Sequence, residues 1–173
     1  METLLIQTNP LQMKRYLLII SLTGFSSLLR AQQYNTALGI KSDITTYDAP
    51  SAEVSLKHFF NGSPNAMEVN LGGSFQYIWV QALYERNYIL SKDLDWYWGI
   101  GADAGHWNYG NGGRAENPMD TGYWTGINGT LGIEYTFNVV PINLALDTGP
   151  SLRLVPEVDF GWMAGFAIRY AFR

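Results

Sequence analysis

The segment Trp162-Met163-Ala164-Gly165-Phe166-Ala167-Ile168-Arg169-Tyr170-Ala171-Phe172 alternates with a period of two. One parity reads Trp162, Ala164, Phe166, Ile168, Tyr170, Phe172, and the other Met163, Gly165, Ala167, Arg169, Ala171. In an extended strand the two sets lie on opposite faces. The first face is bulky and apolar. The second is small, with a single cation.

The same division recurs upstream. Between Ile127 and Phe137 the apolar parity is Ile127, Gly129, Leu131, Ile133, Tyr135 and Phe137, against Asn128, Thr130, Gly132, Glu134 and Thr136. Ile142, Leu144 and Leu146 oppose Asn143, Ala145 and Asp147, and Trp98, Ile100, Ala102 and Ala104 oppose Gly99, Gly101, Asp103 and Gly105. Tyr34–Lys41, Ala52–Phe60 and Ala66–Ser74 repeat it more weakly. Tyr77–Arg86 fits least, because Trp79 and Leu83 fall on the polar parity. The reading is eight strands in an up-and-down meander. Ser42–Ser51, Asn108–Thr121 and Gly149–Asp159 are the longer connections. Asn61–Pro64, Asn87–Asp95 and Asn138–Pro141 are shorter, with a tight turn near Gly72–Gly73.

Composition agrees with this pattern. Of the 173 residues 15% are charged, against roughly 25% in an average soluble domain. Aromatic residues reach 14%, far from the composition of a disordered chain. Eighteen glycines and many Trp, Tyr and Thr residues oppose long helices. A net charge of −4 argues against a nucleic-acid partner. With no cysteine there is no disulfide scaffold, thiolate metal site or cysteine nucleophile.

Residues 1–31 read as a secretory signal peptide. Lys14 and Arg15 precede fourteen uncharged residues, Tyr16 to Leu29, and Ala31 offers a small residue for cleavage. That run is short of the ~20 residues a membrane helix needs. Met13 is an alternative start. Losing Lys14, Arg15, Arg30 and Glu2 takes the exported domain, residues 32–173, to a net charge of −6.

Alternation alone fits a lipocalin-like barrel as well as a membrane barrel, and the sense of the alternation separates them. A soluble barrel hides its apolar face and shows water a face rich in Lys, Glu and Thr. Here the polar parity is mainly Gly, Ala, Asn and Thr, which suits the narrow interior of an eight-stranded barrel and would make a poor solvated exterior. Aromatic residues cluster at the strand ends, with Phe60, Tyr84, Trp96, Tyr135, Phe137, Tyr170 and Phe172 at the short-turn end. Trp107, Tyr123, Trp124 and Phe160 stand at the loop end. Two such girdles are expected where a barrel meets both membrane interfaces, and strands of about 9–11 tilted residues suffice to cross.

Trp96-Tyr97-Trp98-Gly99-Ile100-Gly101-Ala102, Leu131-Gly132-Ile133-Glu134-Tyr135-Thr136-Phe137 and Ile168-Arg169-Tyr170-Ala171-Phe172 make the chain resemble the small eight-stranded OmpA/OmpX-type outer-membrane barrels of Gram-negative bacteria, within an uncharacterised subgroup. The resemblance covers the whole exported domain and concerns architecture. It implies an all-β, eight-stranded antiparallel transmembrane barrel in the outer membrane, with lipid and lipopolysaccharide around it. It also implies that the aromatic last strand, through Phe166, Ile168, Tyr170 and Phe172, is read by the barrel-assembly machinery. Arg173 departs from the usual terminal aromatic.

Eight ionisable residues fall on the polar parity: Lys41, Lys57, Glu68, Glu85, Asp103, Glu134, Asp147 and Arg169. Lys57, Glu134 and Arg169 each stand three residues before a strand-end phenylalanine, so these groups are expected to converge in the periplasmic half of the lumen. They form either a structural network that plugs the barrel, the preferred reading, or an ion path. His58 and His106 lie at opposite strand ends, more than about 20 Å apart at ~3.3 Å per residue, and cannot share a catalytic site. No partner within hydrogen-bond reach can be placed beside either one. Asp43, Asp48, Glu53, Glu116, Asp120, Glu157 and Asp159, against Arg114 and Arg153, make the loops an acidic rim. That rim is a solvated surface or a weak bridge for Ca²⁺ or Mg²⁺ to lipopolysaccharide. Gly110–Gly113 lacks the lysine and helix of a phosphate loop.

The expectation is a monomeric outer-membrane barrel without enzymatic activity, cofactor or metal, structural or engaged in surface interaction through the Asn108–Thr121 loop. A narrow pore or a lipopolysaccharide-modifying enzyme is the alternative. A secreted lipocalin-like carrier is third.

Overall fold

The structure, a computed structural model, describes residues 34–46, 50–74, 76–108 and 121–173. Eight antiparallel strands form a closed barrel in sequence order. They are β1 (Thr36–Thr45), β2 (Ser51–Phe59), β3 (Asn65–Gly73), β4 (Tyr77–Ile89), β5 (Leu94–Asn108), β6 (Thr121–Thr136), β7 (Ile142–Val155) and β8 (Asp159–Phe172). The signal-peptide segment 1–31 and the interior of the Asn108–Thr121 connection lie outside the described residues, as do Asp48, Glu116, Asp120 and Arg114.

Closure is made by β1 against β8, from Thr36↔Phe172 to Thr45↔Met163. Each of the eight strands thus has a neighbour on both edges, and among the described residues no strand edge is left to template aggregation. The approach at this seam is close. A Cβ on Gly39 would stand 2.0 Å from the Ile168 carbonyl oxygen and 2.5 Å from the Arg169 Cα. Only a residue without a side chain fits there.

The exterior is apolar. Ile40 is 65% exposed, Ile100 62% and Leu146 56%, while the intervening Lys41 and Arg169 are at 0% and 1%. Ile133 and Ile168 face out and their neighbours Glu134 and Arg169 face in. Polar atoms on the outer face find local partners. The Trp162 indole donates to Thr148 Oγ1 at 2.7 Å, and Thr148 donates to the Met163 carbonyl at 2.8 Å.

Several connections are shorter than the sequence suggests. The Gly149–Asp159 stretch is mostly strand, since β7 continues to Val155 and leaves only Pro156 to Val158 between strands. Pro150 had argued for a loop, but it sits in the ladder opposite Trp162 with its side chain outward. β1 runs on to Thr45, and β4 to Ile89, leaving Leu90 to Asp93 as the turn before β5. Gly72 and Gly73 end β3, and the turn follows them. A register shift leaves Leu154 of β7 unpaired between Val155 and Arg153, which pair with Thr125 and Gly126, and marks a bulge at the end of β7. Arg173, the departure from an aromatic terminus, binds the β6–β7 turn by donating to the carbonyls of Asn138 at 3.0 Å and Phe137 at 2.5 Å.

The seam yields a prediction. Gly39→Val should prevent clean closure of β1 on β8, lowering the urea midpoint of the refolded barrel and reducing the fraction with heat-modifiable gel mobility. Gly62→Ala, in an open turn with nothing within 4 Å of the new atom, should leave closure intact and cost only local turn strain at its φ of 69°.

Candidate functional site

The lumen is divided along its axis. At the turn end, Tyr34, Ala37, Phe59, Ala66 and Ala171 form a small apolar cluster, with the Tyr34 and Phe59 rings edge-on at 5.2 Å. This layer closes the bottom of the barrel.

Above it lies the first ionic layer. Lys57 Nζ is 2.8 Å from Glu85 and 2.9 Å from Glu134, donates to Asn87 Oδ1 at 3.1 Å, and stands 4.2 Å from the centre of the Tyr97 ring. Glu134 also accepts from the Tyr34 hydroxyl at 3.1 Å. The lysine is therefore enclosed by two carboxylates, an amide oxygen and an aromatic face.

The second ionic layer is centred on Glu68. Arg169 Nη2 donates to Glu68 Oε2 at 2.7 Å and Arg169 Nε to Ser55 Oγ at 2.9 Å. Lys41 Nζ reaches Glu68 and Asp147 at 3.2 Å each and Asp43 at 3.7 Å. Asn70 Nδ2 donates to Glu68 Oε1 at 2.9 Å and to Gln81 Oε1 at 3.0 Å, while the Tyr97 hydroxyl donates to Asp147 at 2.9 Å. Strands β1, β2, β3, β4, β5, β7 and β8 all contribute to this layer.

The structure thus brings seven of the eight expected lumen residues together in these two layers: Lys41, Lys57, Glu68, Glu85, Glu134, Asp147 and Arg169. The eighth, Asp103, also points inward but lies higher, accepting from Asn128 Nδ2 at 2.7 Å. Trp79 and Leu83, the apparent exceptions to the alternation, face inward too. Leu83 is fully buried, close to the space that a side chain at Gly101 would occupy.

Two expectations are corrected. Asp43 and Glu53 are not rim residues: they lie on β1 and β2, are 5% and 3% exposed, and stand beside each other in the lumen. For Asp43 the cause is ending β1 too early, whereas Glu53 stands near the start of β2, inside the expected Ala52–Phe60 strand. Trp107 and Trp124 are not part of the outer girdle either. They turn into the barrel, while Tyr123 and Phe160 remain outside.

Those tryptophans belong to a site that the sequence reading missed, a cavity of about 440 Å³ at the loop end. Tyr77, Trp79, Trp107 and Trp124 form its aromatic wall on β4, β5 and β6. Each tryptophan is paired across its ladder with a glycine: Trp79 with Gly72, Trp124 with Gly105, Trp107 with Gly122. A Cβ on any of these glycines would fall 2.3–2.6 Å from the paired indole, so each ring lies against bare backbone. The next inward-facing row is polar, with Gln81 paired to Asp103, Asp103 to Gly126 and Gly126 to Arg153. The Arg153 guanidinium lies 5.3 Å from the Trp124 ring centre. The usable sequence signal was Trp and Gly in paired register, which is invisible until the strands are aligned.

His58 and His106 occupy opposite ends of the barrel. His58 Nδ1 is 2.8 Å from Thr36 Oγ1 at the turn end, and His106 Nε2 is 3.2 Å from Thr121 Oγ1 at the loop end, beside the Tyr123 ring. Among the described residues no group of three or more His, Asp or Glu side chains could hold a metal ion.

No family model and no curated protein matches the chain. Among solved structures, Neisserial surface protein A (NspA) is similar to 83% of this chain and to the whole of that one, at 11% identity and a TM-score of 0.49.

The ionic layers make a testable claim about stability. Arg169→Met removes one of the two cations bound to Glu68 and should cost about 3–5 kcal/mol, because Lys41 alone is left to compensate Glu68, Asp147 and Asp43. Measured by urea unfolding of the barrel in lipid vesicles, the double variant Glu68→Gln/Arg169→Met should recover a substantial part of that loss.

Proposed function

We propose that this protein is an integral outer-membrane barrel with a plugged lumen, structural or engaged in surface interaction at its loop end. The observation that carries the reading is the inversion of burial, with isoleucines and leucines outside and lysine, arginine and glutamate inside. In water that arrangement would forgo most of the hydrophobic stabilisation and expose a large apolar area. In hydrocarbon it is the favourable one, because the closed ladder satisfies the backbone internally.

The lumen supports a non-conducting barrel. An ion entering from the loop end would meet two layers of paired charges and then an apolar floor among the described residues. The reading carries with it an outer-membrane location, lipid and lipopolysaccharide as surroundings, insertion through the assembly machinery by the Phe166, Ile168, Tyr170 and Phe172 face, and a monomeric state. It includes no catalysis.

Fractionation of expressing cells tests location. The protein should enter the outer-membrane fraction and show heat-modifiable mobility, and recovery as a soluble protein without detergent would reject the proposal. Planar bilayers test the plug, where the wild type and Arg169→Ala should both show no stable large conductance. At the lipid face, Ile100→Arg should destabilise the vesicle-inserted barrel by about 2–4 kcal/mol if that position is near the bilayer midplane, whereas Ile100→Leu should be close to neutral.

A further inference from the structure

We infer that the loop-end cavity is a saccharide-binding site in which a pyranose ring stacks on the tryptophan wall and hydrogen-bonds to the polar row beneath it. The cavity, about 440 Å³, is within the usual size range of small-molecule sites. Its two sides differ in chemistry. One is made of indole and phenol rings. The other carries Gln81, Asp103, Asn128 and Arg153 below, and Ser51 and Ser151 across the lumen.

The rings are placed for stacking rather than for filling the core. Trp79, Trp107 and Trp124 each lie against a glycine of the neighbouring strand, so on that side the ring meets bare backbone, and all three line the cavity. All three are only partly buried. Burying such rings against a ligand recovers apolar area that the free barrel leaves wet. Trp124 already carries the Arg153 guanidinium near its ring, which leaves Trp79 and Trp107 as the platforms.

The polar row selects among ligands. An alkyl chain would cover this polar lining without offering it any hydrogen bond, at a cost for each group that it dehydrates. A quaternary ammonium would use the rings and the Asp43 and Asp103 carboxylates but would leave the Arg153 guanidinium and the amides unanswered. A sugar answers both sides at once, because its axial C–H face is apolar and its rim of hydroxyls both donates and accepts. Asp103 accepts, Arg153 donates, and the amides of Gln81 and Asn128 do either. Register sets Asp103 and Arg153 on either side of Gly126, where no side chain intervenes. A hydroxyl pair can join this carboxylate and guanidinium alongside the interactions they already make.

This inference deepens the surface-interaction reading, yet its test is independent of location. The full exported chain, refolded in a detergent without a sugar head group, is titrated with methyl glycosides of glucose, galactose, mannose and N-acetylglucosamine. Binding is followed by tryptophan emission and by saturation-transfer NMR. The expected result is saturable binding of at least one glycoside, weakened tenfold or more by Trp79→Ala and several-fold by Asp103→Asn. Trp98→Ala, on the lipid-facing surface, should leave it unchanged. Trp79→Phe should keep part of the affinity, and heat-modifiable mobility verifies that each variant is folded. A glycan array then separates a terminal sugar of a larger glycan from a free monosaccharide. The inference is overturned if no glycoside saturates, if Trp79→Ala binds like the wild type, or if tetramethylammonium or an alkyl phosphate saturates the site and the sugars do not. None of these outcomes would alter the fractionation result, so a failed site and a failed membrane assignment are distinguishable.

Discussion

Closure of the sheet by β1 on β8 is the constraint from which the rest of this molecule follows. A backbone amide without water must find a protein partner, and a sheet has unpaired edges unless it returns on itself. Ten residues of β1, Thr36 to Thr45, are in register with β8, and the return is tight enough that Gly39 has no room for a Cβ. Once the ladder is closed, each strand has one face outside and one inside. Eight strands leave an interior only wide enough for side chains. Bulky apolar residues cannot all enter it, and long charged ones can do so only in pairs.

That last condition explains the composition of the lower lumen. Lys41, Lys57 and Arg169 are fully buried, and each touches at least one carboxylate. Buried pairs are a poor source of net stability, but removing one member is expensive. Their main effect is to tie strands together across the lumen. Glu68 on β3 binds Arg169 on β8 and Lys41 on β1, so strands that are not neighbours in the sheet are linked through the interior. The same narrowness permits an open upper half. Where glycine is paired with tryptophan, the aromatic ring lies along the wall, and the centre remains free.

The alternation made most of the fold legible. Trp162–Phe172 and Ile127–Phe137 define their inward and outward sets without any knowledge of neighbours. The misfits at Trp79 and Leu83 were informative too, since both are inward residues of a strand in correct register. Strand ends were harder. Pro150 and Gly149 signal a loop in isolation, yet the ladder with β8 carries the backbone through them to Arg153, and pairing with β6 reaches Val155. Asp43 looks like a rim residue for the same reason. Local chemistry favours a turn there, and cross-strand pairing overrides it.

The sequence by itself determined which residues share a face, because a strand has a period of two whatever its neighbours do. It thereby also determined that the ions lie together on the small-residue side. Only the tertiary structure decided which strands meet and at what register, since those depend on contacts between residues up to 136 positions apart, as in Thr36↔Phe172. Register is what sets Glu68 against Arg169, lays each lumen tryptophan on its glycine, and leaves a cavity with an aromatic wall above a polar floor. A shift of two residues would keep every face and destroy that site.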